Sequence, residues 1–147
     1  DFCIGVAGYP EKHLESPSLQ SDLKRLKEKV DAGADYVVTQ MFFDNQKYFL
    51  FLERCRQEGI NIPIIPGLKP LSTKKQMTIL PKIFHLEFPE DLVQEAGKCN
   101  SDQEIRELGI EWGVQQCQEL IQFGAPVLHF YTMGKSDNVG KIAARIF

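Results

Sequence analysis

The stretch ADYVVTQMFFDN, residues 34–45, decides the fold. Residues 36–40 are mostly β-branched and aromatic, which favours a buried β-strand, yet the strand ends in Gln40 where an apolar run should continue. Burying an amide without partners costs about 1–3 kcal/mol by mutational estimates. Because an amide both donates and accepts hydrogen bonds, Gln40 is a candidate for contact with a heterocycle that does both.

Outward from this strand, short apolar runs alternate with amphipathic segments. The first helix has apolar residues spaced four, three and four apart, which predicts one buried stripe. Proline and serine at 16–17 predict its start, and Gly33 predicts its end. Ser101 and Glu104 have the spacing of a capping box. The predicted strands are 2–10, 36–40, 62–68 and 126–132, and the predicted helices begin near Ser16, Asn45, Ser72, Asp102 and Asp137.

Four alternations of strand and helix predict an α/β fold with parallel strands joined by right-handed crossovers. Two architectures fit: an open four-stranded sheet, or half of a TIM (β/α)8 barrel, whose usual length is about 250 residues. The chain begins inside an apolar run without an initiator methionine, which favours the half barrel. In either architecture we expect all four strands to be buried on both faces.

Composition excludes several classes of function. The net charge is −3 and the basic residues are scattered, so we expect no binding to nucleic acid. No apolar run is long enough to span a membrane. The four cysteines are far apart and lack histidines at metal-ligand spacing, which favours free thiols in a cytoplasmic protein over the alternatives of a disulfide or a zinc site, so no metal site is expected.

Polar and aromatic residues cluster where the predicted strands end. Tyr9 ends the first strand and His13 follows it, Gln40 ends the second, and Tyr131 ends the fourth, with Lys135 just after. Ligands of parallel α/β folds gather at the carboxyl ends of the strands. These residues therefore become the candidate site, although tyrosine and histidine also occur there as ordinary rim groups.

Asp22, Arg25 and Lys29 lie on one stripe of the first helix. They fit either a solvated ion-pair surface or a cation placed for a phosphate beside a carboxylate placed for a ribose hydroxyl. Other motifs fail: GKS at 134–136 lacks the first glycine of a phosphate loop, and neither a nucleophile elbow nor a dinucleotide fingerprint occurs.

Four motifs in register resemble the methylenetetrahydrofolate reductases: AGYPEKH (7–13), DLKRLKEKVDAGADYVVTQMFFD (22–44), IIPGLKPL (64–71) and LHFYT (128–132). The resemblance covers nearly the whole chain. It implies that residues 1–147 form the C-terminal half of an FAD-containing (β/α)8 barrel. It also implies a ping-pong reaction, in which NADH or NADPH reduces FAD and the flavin then reduces 5,10-methylenetetrahydrofolate to 5-methyltetrahydrofolate.

The resemblance also implies roles for individual residues. Gln40 would contact the folate pterin and the nicotinamide, Gln76 would contact folate, and Tyr131 would stack on either ligand. Lys135 stands where the family pattern F-Y-T-L-N-R has arginine, and lysine cannot form the same bidentate contact with a carboxylate. The FAD-binding set would be Ala7, Tyr9, His13, Asp22, Arg25 and Lys29, with Arg25 at a position that varies in the family.

The family's general acid and the aspartate near the flavin belong to strands before residue 1, so no catalytic residue is expected in this chain, and we expect the chain alone to be inactive. Half a barrel exposes sheet edges, which predicts self-association into a homo-oligomer. Two rival functions remain: a phosphate-binding barrel lyase or isomerase, and a non-catalytic α/β interaction module. A bound flavin in the full-length protein would distinguish the reductase from both.

Overall fold

The architecture comes from a computed structural model that describes residues 2–147. Parallel strands alternate with helices, as predicted. The elements are β1 Gly5–Gly8, α1 Leu19–Asp31, β2 Tyr36–Thr39, α2 Asn45–Gln57, β3 Ile64–Ile65, β4 Gly67–Leu68, α3 Gln76–Phe84, α4 Glu90–Lys98, α5 Asp102–Phe123, β5 His129–Phe130 and α6 Asp137–Ile146.

The strands lie side by side in chain order. β1, β2 and β3 form one parallel sheet, and β4 pairs in parallel with β5. The predicted strand 62–68 is divided at Pro66, which has no backbone N–H to donate to a ladder. The gap is bridged because Gly67 N donates to Thr39 Oγ1 over 2.9 Å. The predicted strand 126–132 pairs only at residues 129–130.

Helix boundaries follow capping chemistry. α1 begins at Leu19 rather than near Ser16, because the Ser18 side chain accepts from Ser21 N. α5 begins at Asp102 as predicted, with Ser101 as its cap. α3 begins at Gln76, four residues later than predicted. α4 was not predicted at all.

The helices cover one face of the strands. Val37, Ile64 and Leu68 pack there with α1, α2, α5 and α6 in one core cluster. A second cluster, which includes Met41, Phe43 and Leu71, lies under the carboxyl ends of the strands. On the opposite face Ala7 and His129 are exposed, because no other element within residues 2–147 covers them. The expectation that every strand is buried on both faces was therefore wrong. Within the same residues, no helix is both long enough and apolar enough to cross a bilayer.

Candidate active site

The carboxyl ends of the strands bring Tyr9, Gln40 and Tyr131 together. Gln40 N donates to Gly8 O over 2.8 Å, so Gln40 lies beside the end of β1. The Tyr131 hydroxyl donates to Thr39 O over 2.8 Å, so the end of β5 reaches the end of β2. Burial raises the pKa of Tyr131, and the nearby Tyr9 hydroxyl raises it further. The predicted convergence of these strand ends is present.

Strand register places these side chains on the face away from the helices. β1 and β2 pair with Ala7 opposite Val38, and Tyr9 and Gln40 follow two residues after that pair. Val37 and Thr39 point the other way and are completely buried. Since alternate residues share a face, Tyr9 and Gln40 lie on the uncovered side of the sheet.

The Gln40 side chain forms one local hydrogen bond. Its Oε1 accepts from Met41 N over 2.9 Å, directly after the strand. The side-chain NH2 group has no partner within the described residues, and Gln40 is only half-buried. The amide therefore offers two donors and one remaining lone pair to a ligand, consistent with the expectation from the sequence.

Thr39 and Gly67 hold Tyr131 in place. The Thr39 carbonyl accepts from the Tyr131 hydroxyl, and its Oγ1 accepts from Gly67 N. A Cβ at Gly67 would lie 2.7 Å from Tyr131 Cε2, so only glycine allows the ring to rest against the strand. The His129 ring meets the Tyr131 ring edge-on, with centroids 4.8 Å apart.

A second group of predicted residues lies after β1. The Tyr9 and His13 rings are 4.7 Å apart and meet edge-on. Asp22 Oδ2 accepts from His13 N over 2.6 Å, which ties the loop to α1. Burial raises the pKa of Tyr9, and the Asp22 charge raises it further. Lys29 is exposed, and its Nζ lies 3.5 Å from Ala7 O of β1.

Arg25 behaves differently from the other two residues of its stripe. Its side chain is 74% exposed and pairs with Glu28 over 2.8 Å. Such a pair contributes about 0.3–0.5 kcal/mol on a helix surface. For Arg25 the structure matches the surface ion-pair interpretation of the stripe, whereas Asp22 contacts the loop after β1 and Lys29 contacts β1.

The remaining predicted residues line a cleft of about 450 Å³ between the β4 and β5 ends, α3 and α6. Gln76 Oε1 accepts from Ser72 N over 2.8 Å and from Thr73 N over 3.3 Å, so it orders the loop before α3. Because this contact closes the loop outside the helix, α3 starts later than predicted. Lys135 lies in the turn before α6 and also lines the cleft.

Two further residues at the strand ends, Thr39 and Lys69, were given no role from the sequence. Both oxygens of Thr39 organise the site. Lys69, the residue after β4, lines the cleft and is only 7% exposed. Burial lowers the pKa of Lys69. Its position at a strand end was the available signal, but lysine is normally taken to be exposed.

The sequentially ordered parallel βα units define an α/β fold, and the polar and aromatic groups at its strand ends form a candidate ligand site. The family model of methylenetetrahydrofolate reductase matches residues 1–146. The chain therefore belongs to that family, as the four motifs indicated.

Relatives from distant organisms agree. The chain is 39% identical over 147 residues to methylenetetrahydrofolate reductase 1 of Schizosaccharomyces pombe, covering 99% of this chain and 24% of the relative. It is 39% identical over 138 residues to the 5,10-methylenetetrahydrofolate reductase of Escherichia coli, covering 93% of this chain and 47% of the relative. The chain thus spans half or less of these relatives.

Among solved structures, the chain resembles an uncharacterized protein from Clostridium thermocellum described as binding two copies of 5-methyl-5,6,7,8-tetrahydrofolic acid. The TM-score is 0.61 at 19% identity, and the match covers 99% of this chain and 52% of that one. At this identity the match supports the fold alone.

Proposed function

We propose that the complete protein containing this chain reduces 5,10-methylenetetrahydrofolate to 5-methyltetrahydrofolate, with NADH or NADPH as donor and FAD as the intermediate carrier. The observation that carries the proposal is the convergence of Tyr9, Gln40 and Tyr131 in a chain of this family. Relatives named for NADPH, in Caenorhabditis elegans, and for NADH, in Arabidopsis thaliana, support a nicotinamide donor and leave its identity open.

In this proposal residues 1–147 form the C-terminal half of a (β/α)8 barrel. The sequential parallel order of the strands supports it. The open face supports it as well, because the inner side of a barrel strand is normally packed against the other strands. Ala7 and His129 would then be covered by the remaining strands of the complete barrel.

The residues after β1 fit FAD. Ala7 is small and exposed, so a planar ring can approach the strand closely there. Lys29 supplies a cation for a phosphate at the same strand end, and Asp22 supplies a carboxylate for a ribose hydroxyl. Tyr9 and His13 form an aromatic wall beside them. When bound, FAD supplies hydride transfer between the nucleotide and folate in ping-pong order.

The other strand ends hold and orient the two substrates in turn. Gln40 donates its free NH2 group to an acceptor on the pterin or the nicotinamide. Tyr131 offers a ring whose position is fixed by its hydroxyl and by Gly67. Gln76 donates its remaining NH2 to folate, and Lys135 meets an anionic group at the rim of the cleft.

The test uses the complete protein and two single variants. Gln40→Ala should slow both half reactions while the flavin content stays near normal. Lys29→Ala should lower the flavin content by weakening FAD binding. Stopped-flow absorbance of the flavin measures the half reactions, and the protein-to-flavin ratio measures occupancy. A complete protein without flavin, or variants that lose only stability, would contradict the proposal.

A further inference from the structure

Lys69 is a buried cation without a protein partner. The residue is 7% exposed, and within residues 2–147 its ammonium group has neither a hydrogen-bond acceptor nor an ion-pair partner. Three other lysines with carboxylate partners, Lys27, Lys47 and Lys98, are substantially more exposed and form their pairs at the surface. Lysine is rarely this buried unless it is paired, which makes Lys69 unusual in this protein.

The surroundings of Lys69 favour an anion. Lys69 follows β4 on the same face as Tyr131, because Leu68 pairs with Phe130 and both of these pack toward the helices. The cleft it lines is also lined by two other cations, Arg106 and Lys135. Asp137 is the one carboxylate among the lining residues. The balance of charge is positive, and Lys69 is buried whereas Arg106 and Lys135 are exposed.

We propose that Lys69 Nζ binds an oxyanion of a substrate seated in this cleft, namely a carboxylate of the folate glutamate or a phosphate of the nicotinamide nucleotide. The inference rests on the proposed function, since it takes the two substrates from there. Lys69 becomes a specificity-determining residue. Its positive charge favours binding of a ligand that has an anionic group at one end and a planar ring against Tyr131 at the other. An ammonium group meets either oxyanion as a point charge.

The test compares Lys69→Met, which keeps the length of the side chain and removes the charge, with Lys69→Arg, which keeps the charge. Lys82→Met is the matched control, since Lys82 is exposed on α3 and does not line the cleft. Dissociation constants are measured on the complete protein for folate, for the same pterin without its glutamate, and for NADH or NADPH.

We expect Lys69→Met to weaken folate or the nucleotide about 10- to 100-fold, as for the loss of one charged hydrogen bond. Lys69→Arg should bind much more tightly than Lys69→Met, and Lys82→Met should match the unaltered protein. Loss confined to glutamate-bearing folate assigns the carboxylate, and loss confined to the nucleotide assigns the phosphate. Unchanged affinity for both ligands in Lys69→Met would overturn the proposal.

Thermal unfolding supplies a readout that does not need the reductase reaction. Without ligand, Lys69→Met should unfold at the same temperature as the unaltered protein or higher, because the buried charge is gone. Inorganic phosphate should raise the unfolding temperature of the unaltered protein and have less effect on the variant. A ligand-free Lys69→Met that unfolds at a lower temperature would instead give Lys69 a structural role. If the complete protein fails to reduce methylenetetrahydrofolate but shows this phosphate effect, the proposed function fails and the anion site stands.

Discussion

Gly109→Ala tests how closely α5 approaches the loop that forms the cleft. A Cβ at Gly109 would lie 2.8 Å from the Leu71 carbonyl carbon and 2.9 Å from Leu71 N, and closer still to the carbonyl oxygen. Favourable contacts between such atoms begin at about 3.5 Å, so the overlap is at least about 0.7 Å. The obstacle is backbone, which cannot rotate away. The helix and the loop must therefore separate.

Overpacking of this kind costs about 1–3 kcal/mol, and a backbone obstacle belongs at the upper end of that range. The higher helix propensity of alanine offsets at most about 1 kcal/mol of this cost. We expect Gly109→Ala to lower the free energy of unfolding by about 2 kcal/mol. Because Leu71 precedes Ser72 at the cleft, ligands should also bind more weakly.

Gly97→Ala is the matched control, because nothing lies within 4 Å of a Cβ at that exposed position of α4. It should leave stability unchanged or raise it by up to about 1 kcal/mol. Urea denaturation followed by circular dichroism measures both variants, provided that the slope with urea is unchanged. If Gly109→Ala is as stable as Gly97→Ala, the close approach of α5 to Leu71 is wrong.

Three further predictions concern the strand ends and the open face. Thr39→Val should lower the free energy of unfolding by about 1–3 kcal/mol, because Gly67 N loses its buried acceptor; Thr39→Ser, which keeps the oxygen, should lose less in the same urea titration. Burial raises the pKa of Glu11 to about 7. The contribution of this carboxyl group to the free energy of unfolding is therefore fully present below about pH 4.5 and is lost as the pH rises through 7. Urea titrations should therefore show Glu11→Gln to be more stable than the unaltered protein at pH 8, by up to about 3 kcal/mol, and equal to it at pH 4; equal stability at both values would refute the assignment. The isolated chain should self-associate through its uncovered face and sheet edges, and light scattering that shows a compact monomer would contradict this.

Much of the fold could be predicted because its signals are local. The stripe of α1 and the capping serine of α5 can each be recognised from a few neighbouring residues. α4 carried a signal too, since Leu92 and Ala96 are four apart and both buried, and acidic residues follow Pro89 in the first turn. The sequence predicted no helix there, because proline and acidic residues together are also typical of a loop.

The parts that could not be predicted depend on contacts between distant residues. The interruption of the third strand follows from Pro66. The hydrogen bond from Gly67 N to Thr39 Oγ1 that bridges it joins residues 28 positions apart. Leu71, two residues after the buried Lys69, lies tightly against Gly109 of α5, which no local pattern indicates. The loop before α3 is closed by Gln76 from within the helix, so a serine that resembles a cap does not start it.

The alternation of side chains along a strand explains how a buried core residue and a polar site residue can be adjacent in the sequence. Thr39 is completely buried and Gln40 is half-buried, although they are adjacent, because a strand turns successive side chains to opposite faces. A shift of one residue between β1 and β2 would send Gln40 into the helix-covered core and Thr39 to the open face. The unpaired NH2 group of Gln40 would then be buried at a cost of about 1–3 kcal/mol. The Gln40 amide, which we propose binds the ligand, therefore also disfavours the shifted register of β1 and β2.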